Sequence, residues 1–199
     1  LNKKNTFGFI LKGNEYRSNL YTPGITLIKS NEVIDSSLQT LNDKNDRNHR
    51  YNTNLNYKYE DTSGNEFNID ADYTSFVNNS NGMVTTDLLN NRQEKYGFTA
   101  NNQDVNTAIN IYSIKTDLLR QLKKMKAKIE AGLKWNTIQT VNDLKAFVWV
   151  GNGLQTDTGS TNRFSYTETN YAAYVSFSQK IKKWEYQIGL RAEQSVIKG

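Results

Sequence analysis

No cysteine occurs in the 199-residue chain, and proline and histidine occur once each. Without thiols a disulfide-stapled secreted module is excluded, although a cysteine-free chain also suits an oxidising compartment where stray thiols are a liability. One proline rules out a proline-rich linker protein. A single histidine, His49, cannot build a multi-histidine metal site, and no second one exists to complete a catalytic triad. No apolar run approaches the ~18 to 20 residues of a membrane helix. Any crossing of a bilayer would therefore need a closed β-barrel. No signal peptide opens the chain, and the start at Leu1 instead of Met suggests a mature or excised piece.

Aliphatic residues are also scarce. The hydrophobic fraction is 36%, yet Tyr is used 12 times, Phe 8 and Trp 3, which favours a thin, one-sided apolar layer over a thick core. The net charge of +5 raises nucleic acid or an acidic surface as partner, but the 25 basic residues alternate with 20 acidic ones along the chain. Solvated strand faces explain this better. The lysine-rich turns at 123–128 and 180–183 lack the interleaved aromatic platform of a single-strand binder beyond Trp184, so no nucleic acid is expected as partner.

What the chain does have is alternation. In KWEYQIGLRAE (183–193), Trp184, Tyr186, Ile188, Leu190 and Ala192 share one parity, and Lys183, Glu185, Gln187, Gly189, Arg191 and Glu193 share the other. Successive strand side chains point to opposite faces, so this is a two-faced strand. KAKIEAGLKWN (126–136) repeats it glycine for glycine, with Gly132 in the place of Gly189. A hairpin precedes both: Tyr51, Leu55, Tyr57 and Tyr59 alternate with polar residues, TSGN (62–65) turns the chain, and Phe67, Ile69, Ala71 and Tyr73 continue the pattern.

The alternation gives strands at 5–18, 48–61, 66–78, 95–120, 126–142, 163–180 and 184–197. Short turns alternate with long polar connections at about 21–48, 77–95 and 151–162. Outer-membrane barrels have this asymmetry, whereas soluble sandwiches have shorter strands with turns every ~8 to 12 residues. The expected fold is all-β: an antiparallel up-and-down transmembrane β-barrel fragment, with residues 1–199 as one partial barrel domain. First and last strands run in the same direction, which an even-stranded barrel does not allow, so the chain reads as an arc of a larger barrel. One segment dissents: Leu118, Leu122, Met125, Ile129 and Leu133 also recur at helical spacing. The match between the Gly132 and Gly189 ribbons favours strand there.

In a barrel the apolar parity faces lipid, Trp135, Trp149, Tyr171 and Trp184 join interfacial aromatic belts, and the polar parity lines the lumen. The lumen-facing candidates are Arg50, Asn52, Asn54, Asn68, Asp70, Asp72, Glu130, Lys134, Gln187 and Arg191. Gly132 and Gly189 leave holes on that side, where a bulky neighbour or plug could press close. Glu66, Asp70 and Asp72 share this face, but same-face carboxylates ~7 Å apart on a strand do not hold one Ca²⁺ without further oxygens. DTGS (157–160) matches the aspartic-protease tetrapeptide, but it lies in a polar loop without a second copy. His49 reads as a solvated strand-end residue, and the Asn-rich loops as exposed, mobile loops in which no residue is singled out for recognition of a glycan or lipoprotein. Neither catalysis nor a cofactor or metal is expected.

Together the YSIKTDLLRQLKKMKAKIEAGLKW segment, the YAAYVSFSQKIKKWEYQIGLRAE segment and the NLNYKYEDTSGNEFNIDADYTSF hairpin resemble the barrel of Bacteroidetes outer-membrane proteins related to TonB-dependent receptors. The resemblance runs from about residue 5 to 199 and is most specific over 112–193. It implies an outer-membrane location, a barrel of ~22 strands around a plug domain, and uptake of a nutrient ligand energised from the inner membrane. Outer-membrane lipid and a surface lipoprotein would be partners. Period-two alternation alone does not say which face is inside. A soluble β-barrel or sandwich binding module, or a structural outer-membrane barrel without transport, therefore remains open at this point.

Overall fold

The computed structural model describes residues 4–199. Among them the chain forms β1 (Asn5–Ser30), β2 (Val33–Glu60), β3 (Glu66–Asn90), β4 (Lys95–Leu122), β5 (Ala127–Val150), β6 (Gly153–Thr156), β7 (Asn162–Ile181) and β8 (Trp184–Lys198). All lie in one antiparallel sheet in the order β1-β2-β3-β4-β5-β7-β8, with β6 paired to the far end of β5. β1 and β8 are the edges, and six antiparallel steps leave them running the same way.

The lower connections are tight. Between β2 and β3, Asp61 accepts hydrogen bonds from the Ser63 and Asn65 amides at 2.7 and 2.9 Å, and Gly64 takes a φ of 78° that a side chain would resist. A three-residue 3₁₀ turn, Lys123–Met125, joins β4 to β5. The helical spacing of Leu118, Leu122, Met125, Ile129 and Leu133 thus yields no α-helix. Strand pairing on both sides satisfies the backbone of this stretch, and Leu118 and Ile129 fall on one face of the sheet.

The Asn65 amide above all, with the Asn65 side chain and the Ser63 amide, holds the Asp61 carboxyl below its ordinary value of 3.8. A depressed carboxyl contributes stability above its unfolded value and loses it as pH falls through the folded one. Followed by NMR, the Ser63 and Asn65 amide shifts should therefore titrate together with a midpoint below 3.8. A midpoint at or above that value would show that the turn does not hold the carboxylate.

The strands are longer than expected. β1 to β4 run 26, 28, 25 and 28 residues, and the stretches 21–48 and 77–95, expected as long loops, are mostly strand with short turns at their tips. Asn31 and Glu32 close the β1–β2 hairpin, both at positive φ. Part of 151–162 is also strand, β6. Both faces of these extensions are largely polar, so they lack the apolar alternation that betrays a strand in sequence. Main-chain ladders and side-chain pairs such as Thr40–Thr86 at 3.2 Å and Asn48–Asn78 at 2.7 Å join them across the sheet.

A thick core is missing, as the scarcity of aliphatic residues implies. Leu89, Ala100, Ala127 and Ala146 are the buried apolar residues among those described, while Leu133, Ile188 and Leu190 lie more than 60% exposed on the sheet surface. At the far end Phe98 and Trp149 meet edge to face at 5.4 Å. Trp149 therefore lies far from the aromatic belt where sequence placed it. Fourteen strand positions, ~45 Å of chain, separate it from Trp135.

Candidate functional site: the two faces of the sheet

Pairing register assigns every strand residue to a face. Phe7 lies opposite Tyr57, Tyr57 opposite Ile69, Ile69 opposite Thr116, Thr116 opposite Leu133, Leu133 opposite Ala173, and Ala173 opposite Ala192. The apolar parities of all seven long strands consequently share one face. Its middle is mainly aliphatic, with Leu55, Ala71, Ile114, Leu133, Val175 and Ile188 beside Phe9 of β1.

Aromatic residues border this belt on both sides. Tyr51, Tyr73, Tyr112, Trp135 and Tyr171 form the upper border, with the Tyr73 and Tyr112 rings 5.0 Å apart. Phe7, Tyr57 and Phe67 form the lower one, with centroids 6.1 and 6.5 Å apart, and Phe177 and Tyr186 continue it at 6.3 Å, with Trp184 beyond. Tyr51 and Tyr59 are eight positions apart, ~26 Å along the strand and ~20 Å in height at a ~40° tilt, comparable with the ~25 Å height of a lipid-facing band. On the same face a hollow of about 700 Å³ lies between Ile114, Leu133, Trp135 and Tyr171, over the small side chains of Ala173 and Ala192.

The belt is also slanted. Following the pairing from Phe9, in the middle of the band on β1, leads across to Gln194 on β8, six positions past Ile188, the middle of the band there. The band therefore drifts by about one residue per strand. A drift of ~3.3 Å per ~4.8 Å strand spacing is a tilt of ~35°, the inclination of strands in a closed barrel. A level membrane band is recovered only when the strands are tilted by that amount.

The opposite face is polar and internally bonded. Arg50, Asn52, Asn54, Asn68, Asp70, Asp72, Glu130, Lys134, Gln187 and Arg191 all lie on it by register. The structure brings some of them together: Asn54 donates to Asp72 at 2.7 Å, Asn52 to the Thr74 hydroxyl at 2.6 Å, Lys128 to Glu130 at 2.7 Å, and Arg191 pairs with Glu193. Glu66, Asp70 and Asp72 do not converge. Glu66 pairs with Lys58 at 3.1 Å, and no cluster of metal-ligating side chains occurs among the described residues.

The hole at Gly132 is filled. Tyr174, on the neighbouring strand directly opposite, lays its ring over the glycine and donates its hydroxyl to Asp117 at 2.5 Å, while Lys115 holds the other Asp117 oxygen at 2.7 Å. Gly189 is less crowded, with the Ser176 Cβ as its nearest neighbour. Sequence reasoning found the glycine and missed its occupant. The signal was present: Tyr174 is an aromatic residue on the polar parity of YAAY, out of phase with Tyr171.

His49 stands in the middle of β2, not at a strand start, with Nδ1 3.6 Å from Glu15. DTGS caps the loop after β6. The Ser160 side chain foremost, then the Ser160 and Gly159 amides, bonds the Asp157 carboxylate and holds it below the ordinary carboxylate value.

A seven-strand antiparallel path, a tilted apolar band between aromatic borders and a bonded polar reverse face define the wall of a transmembrane β-barrel. The chain belongs to the outer membrane protein beta-barrel family, whose profile matches residues 58–199. Its location is accordingly the outer membrane. No curated protein matches the chain significantly.

Proposed function

We propose that this sheet is part of the wall of an outer-membrane receptor that takes up a nutrient at the cell surface, of the TonB-dependent type. The polar face carries the reading: from Lys58 and Asn68 to Arg191 it presents amides, carboxylates and cations across every long strand. Such a surface suits a water-filled lumen, or contact with a plug domain, and not lipid. The long polar hairpins above the band supply a surface for a bulky ligand or a partner lipoprotein. Binding and passage, not catalysis, is the activity, and no cofactor or nucleic acid enters it.

Edge strands β1 and β8 run in the same direction, so an all-antiparallel closure between them takes an odd number of further strands. A barrel of many strands, wide enough for a lumen, accords with that. One observation favours a structural barrel without transport: pairs such as Asn54–Asp72 and Asn52–Thr74 spend their hydrogen bonds on each other.

Deleting the gene and growing cells on a panel of bulky nutrients, with and without a collapsed proton-motive force, separates the two. Loss of growth on one nutrient class, reproduced in the parent by collapsing the gradient, is the expected result. Unchanged growth on the whole panel together with a leaky envelope would decide for the structural barrel.

A further inference from the structure

Just above the upper aromatic border, the lipid-contacting face changes character. Arg17 and Arg47 stand directly opposite each other in the β1–β2 ladder, and Asn79 is the next residue across. Like charges in direct cross-strand register are destabilising. A single carboxylate serves both: Glu15 Oε1 lies 3.1 and 3.0 Å from Arg47 Nε and Nη2, and 3.7 Å from Arg17 Nη2. The arginines remain half to two-thirds exposed. They open onto a hollow of about 510 Å³ that Asn45, Asn79, Asn81 and Lys145 also line, together with Asp46 and with Asp104, whose carboxylate Asn81 holds.

The height of this hollow decides its ligand. Arg47 is four positions beyond Tyr51 on the same face, ~13 Å along the strand and ~10 Å in height at a ~40° tilt. That is the headgroup layer next to the hydrocarbon. Guanidinium forks bind phosphate in bidentate fashion, and asparagine amides offer the donor and acceptor pairs that sugar hydroxyls require.

We propose that Arg17 and Arg47, with the surrounding amides, form a binding site for the phosphorylated glycolipid headgroup of the outer leaflet. The headgroup phosphate sits between the two guanidiniums, relieves their repulsion and competes with Glu15 for Arg47. The bound lipid keeps its acyl chains against the apolar band below. The site depends on the outer-membrane location alone and is independent of what the polar face transports.

Native mass spectrometry of the full chain in non-ionic detergent, with bis-phosphorylated lipid A as probe, tests this. Retained adducts are expected, weakened about tenfold or more for lipid A stripped of its phosphates and for the Arg17→Ala, Arg47→Ala double variant. Glu15→Gln, which frees both arginines, should tighten binding, so the test survives poor folding of the double variant. Equal binding of dephosphorylated lipid, or adducts unaffected by either variant, overturns the site. Displacement of the lipid by inorganic phosphate at equal concentration would assign the arginines to a soluble anion and overturn the lipid assignment.

Discussion

Arginine placed at Leu133 should cost ~2 to 4 kcal/mol of stability in a bilayer, and the cost should fall to ~1 kcal/mol or less at Gln139 and Val141 on the same face of β5. Leu133 lies in the middle of the apolar belt, whereas Gln139, which is exposed, and Val141 lie beyond the upper border. The expense comes from desolvating the cation, and it shrinks as the side chain comes within reach of the interface. Equilibrium unfolding of the three variants in vesicles measures it. A soluble sandwich with the same face turned inward would show no such dependence on height. Three equal values would therefore overturn the lipid-facing assignment.

A second large effect is expected at Gly132. A Cβ there would fall inside the ring of Tyr174 and 2.8 Å from the Asp117 carboxylate, so Gly132→Ala must eject the tyrosine or bend the strand. Overpacking of this kind costs ~1 to 3 kcal/mol. Tyr174→Phe keeps the ring and removes only the phenol, so the loss should be ~1 kcal/mol. Tyr174→Ala combined with Gly132→Ala should be less damaging than the sum of the two single changes, because each already breaks the same joint. Strict additivity in denaturant unfolding would show that ring and glycine do not act as a unit.

Much of the fold was legible because period-two alternation survives wherever one face is apolar and the other polar. Tyr57, Ile69, Leu133 and Ile188 announce their strands, and TSGN (62–65) announces the turn between the first two, whereas the part played by Asp61 shows only in the structure. Above the band the signal fails for a physical reason. Asn42, Asn45, Asn79 and Asn81 sit in strand segments that are polar on both faces, so nothing obliges polarity to alternate and the composition mimics a loop. Trp149 misled for a related reason, since an aromatic residue near a strand end also suits an edge-to-face contact with Phe98 far above the membrane. The polar-face residues were readable by parity, whereas pairs such as Asn54–Asp72 and Tyr174–Asp117 depend on cross-strand register that a single strand does not encode. The Arg17–Arg47 juxtaposition was hidden for the same reason.

The length of β2 and β4 has a consequence for what the cell shows to its surroundings. At 28 residues each they reach ~90 Å along the chain, of which the lipid band takes less than a third. With a barrel's inclination, the hairpin tips at Asn31–Glu32 and Arg92–Gln93 stand ~40 Å or more above the bilayer. A stiff palisade of that height carries these tips through much of the sugar coat around it. Antibodies, phage or a ligand arriving from the medium would meet them long before they meet the membrane.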